Sequence, residues 1–138
     1  METGDISVLV VEDNDVFRDA LELMLGFVPD LRVAGAVADG EEAVHACAAL
    51  RPDVVLLDYR LPGLDGVEAA RAIGGCSDAA VVALTAAAEP SELEALRGAG
   101  AVACLSKDSD VDAIVAAIRA AARGRAAHPL PGGDSALL

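Results

Sequence analysis

Val54-Val55-Leu56-Leu57-Asp58-Tyr59-Arg60-Leu61-Pro62-Gly63-Leu64-Asp65-Gly66 is the stretch around which the chain is organised. Its opening run of branched apolar residues is too short for a helix and has no polar alternation. It reads as a strand covered on both faces, the pattern of parallel sheets. The run ends on a carboxylate. Pro62 pushes Leu61 into extended backbone and Pro-Gly suits a tight turn, so the chain leaves the sheet abruptly after Asp58. Asp58 is therefore expected at the lip of the sheet, where open α/β proteins bind their ligands.

Upstream, Ser7-Val8-Leu9-Val10-Val11 is a second buried strand that runs directly into Glu12-Asp13-Asn14-Asp15. Phe17, Leu21, Met24 and Leu25 then recur at helical spacing; Asn14 or Asp15 can cap the start and Gly26 can close the end. Leu31 to Val37 reads as an edge strand, and Asp39-Gly40 turns into a helix from Glu41 to Leu50. Beyond the central strand, Gly66 to Ile73 is expected to be a helix closed by Gly74-Gly75, with Asp65 as its cap. Ala79 to Thr85 is a fourth strand ending on a hydroxyl. Ser91 and Glu94 have capping-box spacing in the next helix, which Gly98-Ala99-Gly100 stops. Ala101 to Leu105 delivers Ser106-Lys107, and a last helix runs from Asp110 to Arg123 with Gly124 as terminator.

Five alternations of strand and helix predict one α/β domain, a doubly wound parallel sheet with helices on both faces. That domain is expected over residues 1–124. Residues 125–138 contain Pro129, Pro131, Gly132 and Gly133 without periodicity, and read as a flexible tail or linker. At 138 residues the chain can bury a core without disulfides or a structural metal. With 54% apolar but only 2% aromatic residues, that core must be aliphatic. Cys47, Cys76 and Cys104 are widely spaced and fit reduced, structural thiols. No apolar run is long enough to span a bilayer, and Met1-Glu2-Thr3-Gly4-Asp5 is acidic where a secretory signal is basic, so a cytoplasmic protein is expected. The net charge of -13 repels phosphate backbones and anionic membranes, which argues against direct binding to either.

In the flavodoxin-like strand order 2-1-3-4-5, the first and third strands adjoin at the topological switch point, so Glu12, Asp13 and Asp58 emerge together. Neighbouring strands about 4.8 Å apart bring these carboxylates within reach of one ion. Oxygen-only ligands favour a hard cation such as Mg²⁺, which retains waters and takes a phosphate oxygen readily. Thr85 and Lys107 leave the next two strands at the same edge, offering a hydroxyl and an ammonium. Phosphoryl transfer needs positioning and charge neutralisation above all, and this set supplies both. Taken singly each residue has an ordinary explanation: Asp58 as a turn former, Glu12-Asp13 as solvated helix-capping acids, Thr85 as a β-former, Lys107 as a surface charge. None of these explains their meeting at one edge. His45 lies on a helix among Ala and Cys and reads as a surface residue; His128 falls in the tail.

From Ser7 to about Arg123 the chain resembles a CheY-like receiver domain of a bacterial two-component response regulator. The residues that carry the resemblance are Glu12-Asp13, Asp58 in its Leu-Leu-Asp-Tyr-Arg-Leu-Pro-Gly-Leu-Asp-Gly context, Thr85 followed by Ala86, and Lys107 after a Gly-Ala strand. Arg60 and Lys107-Asp108 are similar to NarL/FixJ-type receivers. The resemblance implies that Asp58 accepts a phosphoryl group from a sensor histidine kinase. It implies Mg²⁺ held by Glu12, Asp13, Asp58 and the Arg60 backbone carbonyl. Lys107 would pair with the acceptor and Thr85 would close onto the phosphoryl group, reorganising the face of the fourth helix, fifth strand and last helix. That face is also a possible homodimer surface. The output would be transcriptional, through a domain absent from these residues, and the chain would be either a single-domain regulator or a fragment of a longer one. It would turn over only its own phosphate, with Arg60 and Ala87 flanking the entry of water. Where the family usually carries Tyr or Phe three residues before the lysine, this chain has Cys104, so signalling is expected to proceed without a ring flip. The rivals are a phosphorylation-independent pseudo-receiver and a haloacid-dehalogenase-like phosphatase; the latter usually needs a second Asp where Arg60 stands.

Overall fold

The computed structural model describes residues 5–86 and 89–127. Five strands, β1 (Ile6–Val11), β2 (Leu31–Val37), β3 (Val54–Asp58), β4 (Ala80–Thr85) and β5 (Ala101–Ser106), alternate with five helices. The helices are α1 (Asp15–Gly26), α2 (Gly40–Leu50), α3 (Gly66–Cys76), α4 (Pro90–Gly98) and α5 (Val111–Ala127). All strand pairs are parallel and the order is β2-β1-β3-β4-β5, as expected. Helix α1 packs with α5, while α2, α3 and α4 form the neighbouring pairs of the other layer. The three central strands are sealed between these layers: every residue of β3 and β4 is buried, and Val8 to Val11 of β1 are at most 1% exposed. This is why their sequences lack polar alternation.

The register of the two central strands is pinned at their amino ends. Ser7 donates its backbone N–H to Asp53 Oδ2 at 2.9 Å, and the Asp53 N–H is shared between Ser7 Oγ (3.0 Å) and the Ser7 carbonyl (2.9 Å). From there Val8 pairs with Val54 and Val11 with Leu57, so the next residue of each strand is Glu12 and Asp58. A bidentate Arg119–Asp30 pair, with contacts of 3.0 and 2.7 Å, ties α5 to the segment leading into β2.

The starts of α1 and α3 carry caps read from sequence, and Asp39, expected only as part of a turn, caps α2 as well. Asn14, Asp39 and Asp65 accept from the N–H three residues on, and Asp65 with Glu68 forms a reciprocal capping box. The expected Ser91–Glu94 box does not form: Glu89 is the N-cap, without a side-chain capping bond, and Pro90 takes the first helical position, so Ser91 is already inside the helix. Gly74-Gly75 does not end α3, which continues to Cys76. Both glycines are exposed and each weakens a helix by roughly 1 kcal/mol, yet the helix, anchored by the buried Ala69, Ala70 and Ile73, runs one residue beyond them. Gly124 likewise does not stop α5, which runs through Ala127. The remainder of the expected tail, with His128, and Ala87 lie outside the described residues. Cys47 and Cys104 are buried and Cys76 is exposed, all three as free thiols; His45 is exposed, as expected.

Two glycines shape the loop that carries Asp58. A Cβ on Gly66 would lie 2.6 Å from the Tyr59 carbonyl oxygen and 2.9 Å from that of Asp58. A Cβ on Gly40 would lie 2.6 Å from the Leu64 carbonyl oxygen. Backbone contacts this tight cannot be relieved by rotating a side chain. Gly66→Ala is expected to destabilise the domain by ~2 kcal/mol through overpacking, read as a lowered denaturation midpoint in urea; an unchanged midpoint would show that the loop tolerates a wider path.

Candidate functional site

The carboxyl edge of the sheet gathers the predicted residues. Glu12 follows β1 directly, β3 ends at Asp58, β4 ends at Thr85, and Lys107 follows β5 directly. Pairing of Thr85 with Ser106, and a bond from the Lys107 N–H to the Thr85 carbonyl at 2.9 Å, fix where the lysine leaves the sheet. Its side chain then crosses β4 and β3. Nζ lies 3.2 Å from Asp58 Oδ2 and 2.9 and 3.2 Å from the two oxygens of Glu12. Glu12 Oε2 also accepts from the Asn14 N–H at 3.1 Å. Asp58 Oδ1 accepts from the Arg60 N–H at 3.2 Å, a bond that the turn after β3 creates. The Phe17 ring lies beneath the ammonium, 5.0 Å from centroid to Nζ.

Glu12, Asp58 and Thr85 are almost completely buried, at 1, 3 and 1% exposure, which makes their charges and dipoles matter. Burial, and next the charge of Glu12, raise the pKa of Asp58 to about 6, against the lowering effects of the Arg60 N–H and Lys107. Burial also works against the ammonium of Lys107, but the bond to Glu12 and the charges of both acids outweigh it, and its pKa is raised. The cluster thus carries two buried anions and one cation, with Asp13 exposed at its rim.

One oxygen from each of Glu12, Asp13 and Asp58 lies within 4.8 Å of the others. Glu12 Oε1 is buried and lies 2.9 Å from Nζ, with no further hydrogen-bond partner among the described residues. A buried carboxylate oxygen with spare acceptor capacity, in an all-oxygen set, fits a hard divalent ion such as Mg²⁺. Beside it opens a cleft of about 540 Å³ lined by Asp13, Tyr59, Arg60, Pro62, Asp65 and Glu92 among others. Of the expected metal ligands, Arg60 reaches the site through its N–H in this state. Asp65 acts as the cap of α3 while lining the cleft.

Two neighbours were not legible beforehand. Phe17 sits in the apolar stripe of α1 and nothing in the spacing distinguishes it from core. Glu92 accepts a 3.3 Å hydrogen bond from the Thr85 hydroxyl, although it lies in the first turn of α4. Cys104 is buried in β5; burial, and then the charge of Glu92, push its thiol up to about 11.

A doubly wound five-stranded sheet of order 2-1-3-4-5, with acids, a hydroxyl and an ammonium at its carboxyl edge, is the architecture of the CheY-like receivers. The family model for the response regulator receiver domain matches residues 8–119, and the chain belongs to that family. It is 37% identical to the transcriptional regulatory protein LiaR of Bacillus subtilis over 86% of its length, and spans 57% of LiaR. Its fold is similar to that of the signal receiver domain of the response regulator NarL from Mycobacterium tuberculosis. The TM-score is 0.85 at 33% identity, covering 88% of this chain and 99% of that one. It is also similar to the receiver domain of the sensor histidine kinase PA1611 from Pseudomonas aeruginosa, a structure with magnesium coordinated in its active-site cleft. There the TM-score is 0.78 at 33% identity, with 86% and 98% coverage. Two-component response regulators are among the other relatives, including GacA of Pseudomonas syringae and a LuxR-family regulator from Aurantimonas.

The pKa of Asp58 sets a pH dependence. Because it is raised from 3.8 to about 6, the folded protein holds this proton more tightly than the unfolded chain. The resulting stabilisation is complete below the unfolded value and is lost as pH rises through the folded one. Asp58→Asn is therefore expected to stabilise the metal-free protein near pH 8 by on the order of 1–2 kcal/mol, allowing for the lost Lys107 contact, and to gain far less near pH 4. Calorimetric melts at both pH values check this; equal gains at both would contradict it.

Proposed function

We propose that Asp58 is the phosphoacceptor of a two-component signalling chain and that its partner is a sensor histidine kinase. The observation that carries this reading is the ammonium of Lys107 held between the buried carboxylates of Glu12 and Asp58, beside a cleft lined by Asp13, Arg60 and Glu92 among others. An Asp58 oxygen attacks phosphorus, the bond from phosphorus to the kinase imidazole breaks, and the imidazole leaves with the bonding electrons. Lys107 stays paired with the acceptor and offsets the charge that the phosphoryl group brings. Thr85 donates its hydroxyl to a phosphoryl oxygen. Glu12, Asp13, Asp58 and the Arg60 carbonyl are the proposed ligands of Mg²⁺, which when bound neutralises the equatorial phosphoryl oxygens.

Phosphorylation then shifts a conformational equilibrium rather than starting a turnover reaction. The surface that responds is the face formed by α4, β5 and α5, which we assign to output or self-association. Transcriptional output through a further domain is in keeping with LiaR, of which the chain spans 57%. Among the described residues no helix is long and apolar enough to cross a membrane, and a receiver of this kind would work in the cytoplasm. The net charge of -13 disfavours nucleic acid as a direct partner of these residues.

Incubation with a small acyl phosphate or phosphoramidate and Mg²⁺ is expected to add one phosphoryl group, stable to acid and labile to base, that mass spectrometry places on Asp58. Asp58→Asn should abolish it. A chain that takes up no phosphoryl group and shows no response to Mg²⁺ titration would be a binding module that works without phosphorylation. Repeated turnover of a phosphomonoester would instead mark a phosphatase.

A further inference from the structure

We propose that Glu92 is a positioning residue that holds the Thr85 hydroxyl away from the phosphoryl site, and that exchange of this bond couples Asp58 to α4. The proposal rests on the phosphoacceptor reading of Asp58. Thr85 is 1% exposed, and its Oγ1 donates to Glu92 Oε1 across 3.3 Å. A hydroxyl has one proton to donate. The same proton cannot satisfy Glu92 and a phosphoryl oxygen together, so the two acceptors compete for it.

The bond is built to be replaced. Strong O–H···O bonds cluster near about 2.8 Å, so a contact of 3.3 Å yields to a better acceptor, and a phosphoryl oxygen is one. Glu92 lines the cleft together with Asp13 and Arg60, which exposes its carboxylate to the charge of an incoming phosphoryl dianion. Repulsion and loss of the Thr85 bond act in the same direction, away from the site. Glu92 belongs to the first turn of α4, whose N-cap residue Glu89 makes no side-chain capping bond. The Thr85–Glu92 contact therefore ties the start of α4 to the end of β4.

The charge of Glu92 also reaches the Cys104 thiol on β5, whose pKa it helps to raise. Cys104 is a small buried side chain that cannot itself swing between inward and outward positions as a ring would. In this chain the moving part is Glu92, on the helix, rather than a side chain of the fifth strand.

The test is a titration of the full chain with beryllium fluoride and Mg²⁺, read by methyl NMR. Thr3 and Thr85 are the only threonines, so the reporter signal is readily assigned. Glu92→Ala is expected to bind the probe roughly three- to tenfold more tightly, the scale of one weak charge-assisted hydrogen bond. Its Thr85 methyl signal without probe should lie nearer the position seen in the wild-type complex. Glu92→Gln, which retains an acceptor oxygen without charge, should fall between the two proteins. In a Thr85→Val background Glu92→Ala should have far less effect on affinity. Wild-type affinity and an unmoved Thr85 signal in both Glu92 variants would overturn the role of Glu92 alone. A wild-type chain that ignores the probe would overturn the phosphoacceptor reading and this proposal with it.

Discussion

The site depends on one ammonium. Glu12 and Asp58 end adjacent strands and are both buried, and two carboxylates in low dielectric repel strongly unless a cation lies between them. Lys107 fills that position from the far side of β4, within 3.2 Å of both. The pairing leaves the acids incompletely neutralised: one cation faces two buried carboxylates, and Asp58 still has its pKa raised to about 6. That residue of unsatisfied charge gives the edge its capacity for a further cation and a phosphoryl group. A site in perfect balance would have no such capacity.

Holding two acids and a lysine in contact requires three strands to end in step. Ser7 and Asp53 lock the opposite ends of β1 and β3, some five residues from the chemistry, and parallel pairing carries the alignment forward. On the other side the pairing of β4 with β5 slips by one residue between Val81 and Val82, so that Ala101 and then Ala103 become the partners. The slip brings Ser106 level with Thr85 and places Lys107 one step beyond. Without it every side chain of β5 would shift by one position relative to β4. Helices on both faces support the alignment through an aliphatic core, in which Leu9, Leu21, Leu25, Leu56, Leu57 and Ile118 are fully buried.

Conformational coupling follows from the same economy of aromatic residues. Only three are present, and the buried position on β5 three residues before Lys107 is Cys104. A ring cannot report the state of the site from there. Thr85 is instead linked to α4 through Glu92, so its hydroxyl lies between the acidic cluster and a helix on the proposed output face. Phe17 occupies a different place, under the lysine, where its π face supports the ammonium.

The sequence alone determined the alternation of strands and helices, the parallel order of the sheet, and Glu12, Asp13, Asp58, Thr85 and Lys107 as the residues of the edge. These were legible because uninterrupted Val, Leu and Ala runs have one stable placement, between two layers, and each stops at a polar residue. Helix ends were read less well. Gly74-Gly75 and Gly124 do not end their helices, because a glycine's preference of about 1 kcal/mol is too weak to stop a helix by itself, and Pro90 sets the start of α4 ahead of the Ser91–Glu94 spacing. Only the tertiary structure decided the slip in β5, the tight approach of Gly66 to Tyr59, and the meeting of Thr85 with Glu92. Each is a match between segments remote in space or separated by a loop, and periodicity along a single chain carries no record of it.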